Sequence, residues 1–66
     1  MRDFTNKELL ILRLVAKGMM NKEIADELCM SNTTTKAHIE TIFKKLNVQN
    51  RVQAVVKAIT LQIINV

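Results

Sequence analysis

Proline is absent from this 66-residue sequence, glycine occurs once and cysteine once. A chain so poor in turn-forming residues is a weak candidate for a β-sandwich, and with nearly half its residues apolar it is an equally weak candidate for disorder. A single thiol, Cys29, excludes an internal disulfide and fits a reducing, intracellular setting. No apolar run approaches the roughly 20 residues that cross a bilayer, and MRDFTNKE at the start lacks the apolar segment of a secretory signal, so a soluble cytoplasmic domain is expected. There is also no room for an ordinary enzyme cleft walled by two subdomains. A chain of this size buries only about 60% of its unfolded surface, so the core must be small.

What is present is helix-forming: Leu, Ile, Val, Ala, Lys and Asn make up the bulk, and the formal charge is +4 with a pI near 9.7. That balance makes an anionic partner such as nucleic acid plausible. The fold class expected is all-α, a compact four-helix domain occupying 1–66, with no repeat, linker or low-complexity segment.

The helix ends are written in polar punctuation. TNKE (Thr5 to Glu8) fits a capping box, with Phe4 placed as a staple, and Gly18 stands where a left-handed residue would end the helix, so the first helix is expected over about 6–17. Its apolar seam is Leu9, Leu12, Val15 and Ala16. In NKEIADEL, Ile24, Ala25 and Leu28 share one face, which predicts a short second helix over 21–28. Ser31 is an N-cap for a third helix over 32–46, and Asn50 with Gln53 caps a fourth over 50–64.

At about 100° per residue, Thr35, Ile39, Ile42 and Leu46 form the buried stripe of the third helix. The opposite side carries Thr33, Lys36, Ala37, Glu40 and Lys44, flanked by Thr34, Thr41 and Lys45, with no large apolar group. A helix N-terminus offers unpaired amides and the positive end of its dipole, and short hydroxyls beside it let an anionic oxygen approach closely. Thr33 and Thr34 then suit a phosphate backbone, while Lys36, Ala37 and Glu40 are directed at base edges in a major groove. The plainer reading is a capped helix with a solvated charged face. A short helix, a three-residue turn and a longer helix with small and basic residues near its start favour a helix-turn-helix.

FTNKE, Gly18, NKEIADEL, Ser31, Thr34, KAHI at 36–39, Ile42, KKL at 44–46 and NRVQAVVKA at 50–58 together resemble the LuxR-type helix-turn-helix domain of bacterial transcriptional regulators, also the output domain of many response regulators. The resemblance implies sequence-specific binding of double-stranded DNA with the third helix in the major groove, no chemistry and no cofactor. It also implies a homodimer through the fourth helix, and a contact with RNA polymerase at promoters is a further expectation. Carried over by position, Lys36, Ala37 and Glu40 face bases, and Asn21, Thr33, Thr34 and Lys45 lie near phosphates; Lys44, on the same exposed face, is expected to join them. Two positions depart from the pattern. Met20 replaces a Ser or Thr, which removes the capping box ahead of Glu23, and Thr35 replaces a valine, so its hydroxyl needs a partner such as a carbonyl one turn back.

His38 has no Cys or second His at ligand spacing, so no metal site is expected, and it should pack beside Leu46 and Lys45 or touch phosphate. Cys29 is most simply a small apolar turn residue. The fourth helix carries two apolar stripes. Ala54, Val55, Ala58 and Leu61 are expected inward, and Val52, Val56 and Ile59 across a dimer axis, with both stripes in the core as the rival arrangement. A different class of function, a helical protein-interaction module for the transcription machinery, would use this helix together with acidic Glu23, Asp26 and Glu27.

Overall fold

In the computed structural model, which describes residues 4–65, the chain folds as α1 (Asn6–Ala16), α2 (Asn21–Leu28), α3 (Asn32–Leu46) and α4 (Arg51–Thr60), with no strand among the described residues. The caps explain the starts. The Thr5 hydroxyl accepts from the Glu8 amide at 3.0 Å and the Glu8 carboxylate accepts from the Thr5 amide at 2.9 Å, so both halves of the box are made. Asn50 accepts from the Gln53 amide at 2.9 Å to open α4. The expected loss of the box ahead of α2 is only half correct: Met20 offers no side-chain cap, yet Glu23 still accepts from the Met20 amide at 2.7 Å.

One device ends all four helices. A residue in the left-handed region follows the last turn: Gly18 (φ 91°), Cys29 (φ 56°), Asn47 (φ 58°) and Gln62 (φ 59°). The amide after each one reaches back five residues, Met19 to the Leu14 carbonyl (3.1 Å), Met30 to Ala25 (2.9 Å), Val48 to Phe43 (3.0 Å) and Ile63 to Ala58 (2.8 Å). These are Schellman motifs, and each donor residue is an apolar side chain packed half-buried on the core. Only α1 uses glycine for this. At the other three ends the left-handed conformation costs up to about 1–2 kcal/mol, least for Asn47, whose side chain tolerates it. Cys29 is therefore a helix stop, held open to solvent, and not simply an apolar turn residue.

The same motif corrects the expected end of the fourth helix, which stops at Thr60 and not near Ile64. Ile59 and Ile63 keep helical spacing in sequence, but the reversal at Gln62 brings Ile64 back against the core, where it is 3% exposed. Leu61, expected inward, is the C-cap residue and lies exposed.

α1 and α3 pack on each other, and each also meets α2 and α4. The core is Ile11, Leu12, Leu14 and Val15 from α1, Ile24 and Ala25 from α2, Ile39, Ile42 and Leu46 from α3, with Ala54, Ala58 and Ile64 closing it. The seam of α1 is wider than its spacing predicts: Leu9 and Ala16 sit at its margin, and Ile11 and Leu14 take the interior. Thr35 is fully buried and donates to the Ser31 carbonyl at 2.9 Å, the partner one turn back that its hydroxyl requires. Small residues on the inner face of α4 let it lie close to its neighbours, leaving α3 pinned by its buried stripe with the opposite side outward.

Candidate nucleic-acid interface

α3 presents Thr33, Thr34, Lys36, Ala37, Glu40, Thr41, Lys44 and Lys45 to solvent. Its first turn is organised by Ser31, whose hydroxyl accepts from the Thr34 amide at 3.0 Å and donates to the Thr34 hydroxyl at 2.9 Å. Thr34 thus accepts within the cap and keeps its own proton for an outside acceptor. The Asn32 and Thr33 amides precede the first intrahelical bond, made by the Thr35 amide to the Ser31 carbonyl. Short donors and the positive end of the dipole therefore converge on one unobstructed spot. Thr41 contributes less, because its hydroxyl donates to the Ala37 carbonyl at 3.0 Å.

His38 is half-buried and lines a shallow hollow with Thr33, Thr34, Ala37 and Thr41. It thus borders the threonine-rich outer face, and of the two expectations for it, packing beside Leu46 and Lys45 or touching phosphate, this placement suits the second. Among the described residues no group of three or more His, Cys, Asp or Glu side chains lies close enough to hold a metal ion.

Asn21, at the start of α2, does not stand alone. Its amide oxygen accepts from Nη2 of Arg51, the first residue of α4, while Nη1 of the same guanidinium donates to the Met19 carbonyl at 2.9 Å. Arg51 is not among the site residues that the sequence singles out. The only sequence signal for it is the Asn50-Arg51 pair at a helix start, which reads as punctuation because nothing local shows what the guanidinium reaches 30 residues away.

Lys45, on the flank of α3, pairs with Glu8 of α1 at 2.7 Å and lies 5.6 Å from the centre of the Phe4 ring. The pairing makes it a fixed positive charge beside the outer face. Burial is the largest single influence on Glu8 and disfavours its charge, but the Lys45 ammonium, the Thr5 amide and the Thr5 hydroxyl together hold its carboxyl below the ordinary value of 4.5. A lowered folded-state value means that this contribution to stability is present above about pH 4.5 and is lost as acid titrates the group in the folded state. Glu8→Gln is expected to lower the melting temperature at pH 6 and to matter much less near pH 3. An equal penalty at both pH values in thermal melts would show that the carboxylate charge is not what holds this seam.

On α4, Val52 is 73% exposed, Val56 59% and Ile59 40%, so these three are not core residues. Val52 and Val56 form a ridge between two shallow apolar grooves. Val48, Thr60 and Leu61 help to line one, and Val15, Gly18, Met20 and Val55 help to line the other. A ridge between grooves is the relief that a two-fold axis can pair with itself.

The sequence profile of bacterial regulatory proteins, luxR family, matches residues 2–58. The chain is 52% identical over 54 residues to the glycerol metabolism activator of Pseudomonas putida, covering 82% of this chain and 24% of that protein. It is 50% identical over 54 residues to the transcriptional regulatory protein LiaR of Bacillus subtilis, covering 82% and 26%. It thus spans about a quarter of the length of these relatives. The crystal structure of response regulator ChrA, of a heme-sensing two-component system, superimposes with a TM-score of 0.92 at 31% identity, over 97% of this chain and 32% of that one.

Proposed function

The chain belongs to the luxR family of bacterial regulatory proteins, and on that premise we propose that it binds double-stranded DNA in a sequence-specific manner as a homodimer, with α3 in the major groove. Residues 1–66 act as the DNA-binding unit. Membership in a family of DNA-binding transcriptional regulators sets the class of activity. The observation that carries the finer reading is the first turn of α3, where the outward Thr34 hydroxyl and the Asn32 and Thr33 amides meet beside an exposed face of small and basic side chains.

Fifteen residues of helix are about 22 Å long and, with side chains, 10–12 Å across, a rod that fits a groove about 12 Å wide. Entering by its amino end, α3 sets Thr33 and Thr34 on phosphate and brings Lys36, Ala37 and Glu40 over base edges. Lys44 reaches the backbone along its flank, Lys45 stands beside the backbone from its fixed place against Glu8, and Asn21 approaches it from the start of α2. Lys36 supplies donors for guanine, Ala37 allows close approach, and Glu40 can accept from cytosine N4 while penalising a misplaced phosphate. Val52, Val56 and Ile59 pair the two copies. The exposed acidic residues Glu23, Asp26 and Glu27 of α2 stay on the surface for a contact with RNA polymerase.

The test is binding to duplexes selected from a random pool, at two salt concentrations. Affinity is expected to fall with salt at a log-log slope near −0.9 per phosphate engaged. Lys36→Ala is expected to cost about 1–3 kcal/mol on the selected duplex and much less on random duplex, whereas Lys44→Ala weakens both alike. Equal losses for Lys36→Ala on the two duplexes would remove it from base reading. The absence of any duplex complex at low salt would favour the protein-interaction module instead.

A further inference from the structure

We infer that Arg51 is a positioning residue for DNA-backbone binding, acting through Asn21. This rests on the reading of Asn21 as a phosphate contact. A carboxamide has two ends of opposite character, and only its NH2 end can donate to a phosphate oxygen. The Arg51 guanidinium, having no acceptor of its own, can engage only the oxygen end, and it does so while gripping the Met19 carbonyl two residues earlier. The fork thus fixes both the loop that delivers Asn21 and the sense of its amide, so that the donor end is the one left to meet DNA. The planar guanidinium makes both bonds from one rigid group, so little side-chain freedom is lost at the moment of binding.

The location adds a consequence. Arg51 is the first residue of α4 and also lines the groove beside Val52 and Val56. It joins the ridge assigned to the dimer with the start of α2, two elements that otherwise meet only through α1 and α3.

The experiment is a double-mutant cycle with Arg51→Ala and Asn21→Ala, read as affinity for a short random duplex, because a phosphate contact carries no sequence information. A duplex too short for two copies removes any contribution from dimerisation. Asn21→Ala is expected to weaken binding about tenfold, the worth of one hydrogen bond to a charged acceptor. Arg51→Ala should give a similar loss, and the double variant little more than either. Asn21 is neutral and releases no counterion, so the salt slope should stay unchanged in all three. Arg51→Lys, which keeps the charge but not the fork, should recover only part of the affinity.

Three results would overturn the inference, and each points to a different fault. If Asn21→Ala leaves affinity unchanged, the phosphate reading of Asn21 fails. If Asn21→Ala weakens binding but Arg51→Ala adds its own full loss, Arg51 does not act through Asn21. If Arg51→Ala flattens the salt slope by about 0.9, its own charge touches a phosphate. Amide hydrogen exchange of α1 and α3 in each variant distinguishes these outcomes from a general loosening of the fold.

Discussion

Val56→Asp is expected to separate DNA binding by two copies from binding by one. On a duplex carrying two half-sites the variant should lose roughly a hundredfold in affinity, the low end of what linking two binding events contributes. On a single half-site it should bind as the parent does. The side chain is 59% exposed, so a carboxylate there stays hydrated in the monomer and folding stability should change by less than about 0.5 kcal/mol. In the dimer the same carboxylate would enter an apolar groove and face its own symmetry mate, which costs both desolvation and like-charge repulsion. The helix carrying this ridge has only ten residues, about 15 Å of contact, well short of a standard interface. Pairing of the free protein should therefore be weak and DNA should act as the template. Cooperativity between half-sites is for that reason the sensitive measurement, with sedimentation of the complex as its companion. Unchanged cooperativity in Val56→Asp would move the dimer surface off α4.

What the sequence disclosed and what it hid divide along the range of the interactions. Thr5 with Glu8, Ser31, and Asn50 with Gln53 are contacts three residues long, and the starts of α1, α3 and α4 were legible from them. The buried stripe of α3 follows from helical geometry alone, and so does the partner of the Thr35 hydroxyl, one turn back at the Ser31 carbonyl. The ends of α1, α2 and α3 also fall at or within one residue of the expected positions, and only the end of α4 was misplaced, because nothing local advertises Gln62 as the left-handed residue of a Schellman motif. Cys29 and Gln62 occupy that conformation because the apolar residue after each is drawn onto the core, a tertiary pull with no local mark.

The links between helices could not be read from the chain at all. Glu8 to Lys45 spans 37 residues and Arg51 to Asn21 spans 30, and nothing in the local sequence of either residue names its distant partner. These same links bear on the proposed interface, since they fix a lysine on the flank of α3 and an amide at the start of α2. Lys36, Ala37 and Glu40, the positions proposed to face bases, were picked out by spacing and family resemblance, and all three lie exposed on α3. The scaffold that holds their neighbours became visible only in three dimensions.

Ile42→Ala is expected to be among the most damaging single changes in the core, with a consequence that reaches DNA. Ile42 is 1% exposed on the inner stripe of α3, so truncation removes three carbons from the interior. Substitutions of this kind cost about 2–5 kcal/mol, depending on how far the surroundings can collapse into the space. Collapse is limited here, because α4, which packs on α3, buries only Ala54 and Ala58, whose single methyl groups cannot extend into a void. A loss of about 3–4 kcal/mol follows, against a total stability of roughly 3–10 kcal/mol for a domain of this length. The variant should be partly unfolded at 37 °C and still carry every DNA-facing side chain. Duplex binds only the folded state, so at a hundred times its dissociation constant it should return about 2.7 kcal/mol. Helical signal at 222 nm should therefore be depressed in free Ile42→Ala and largely restored by added duplex, with an apparent affinity lowered by the fraction unfolded. A midpoint shift worth less than 1 kcal/mol, or helicity that ignores saturating duplex, would mean either that the α3 stripe is loosely packed or that the outer face of α3 is not where DNA binds. Lys36→Ala in the same background separates these two faults, because it leaves packing alone and removes only the contact with bases.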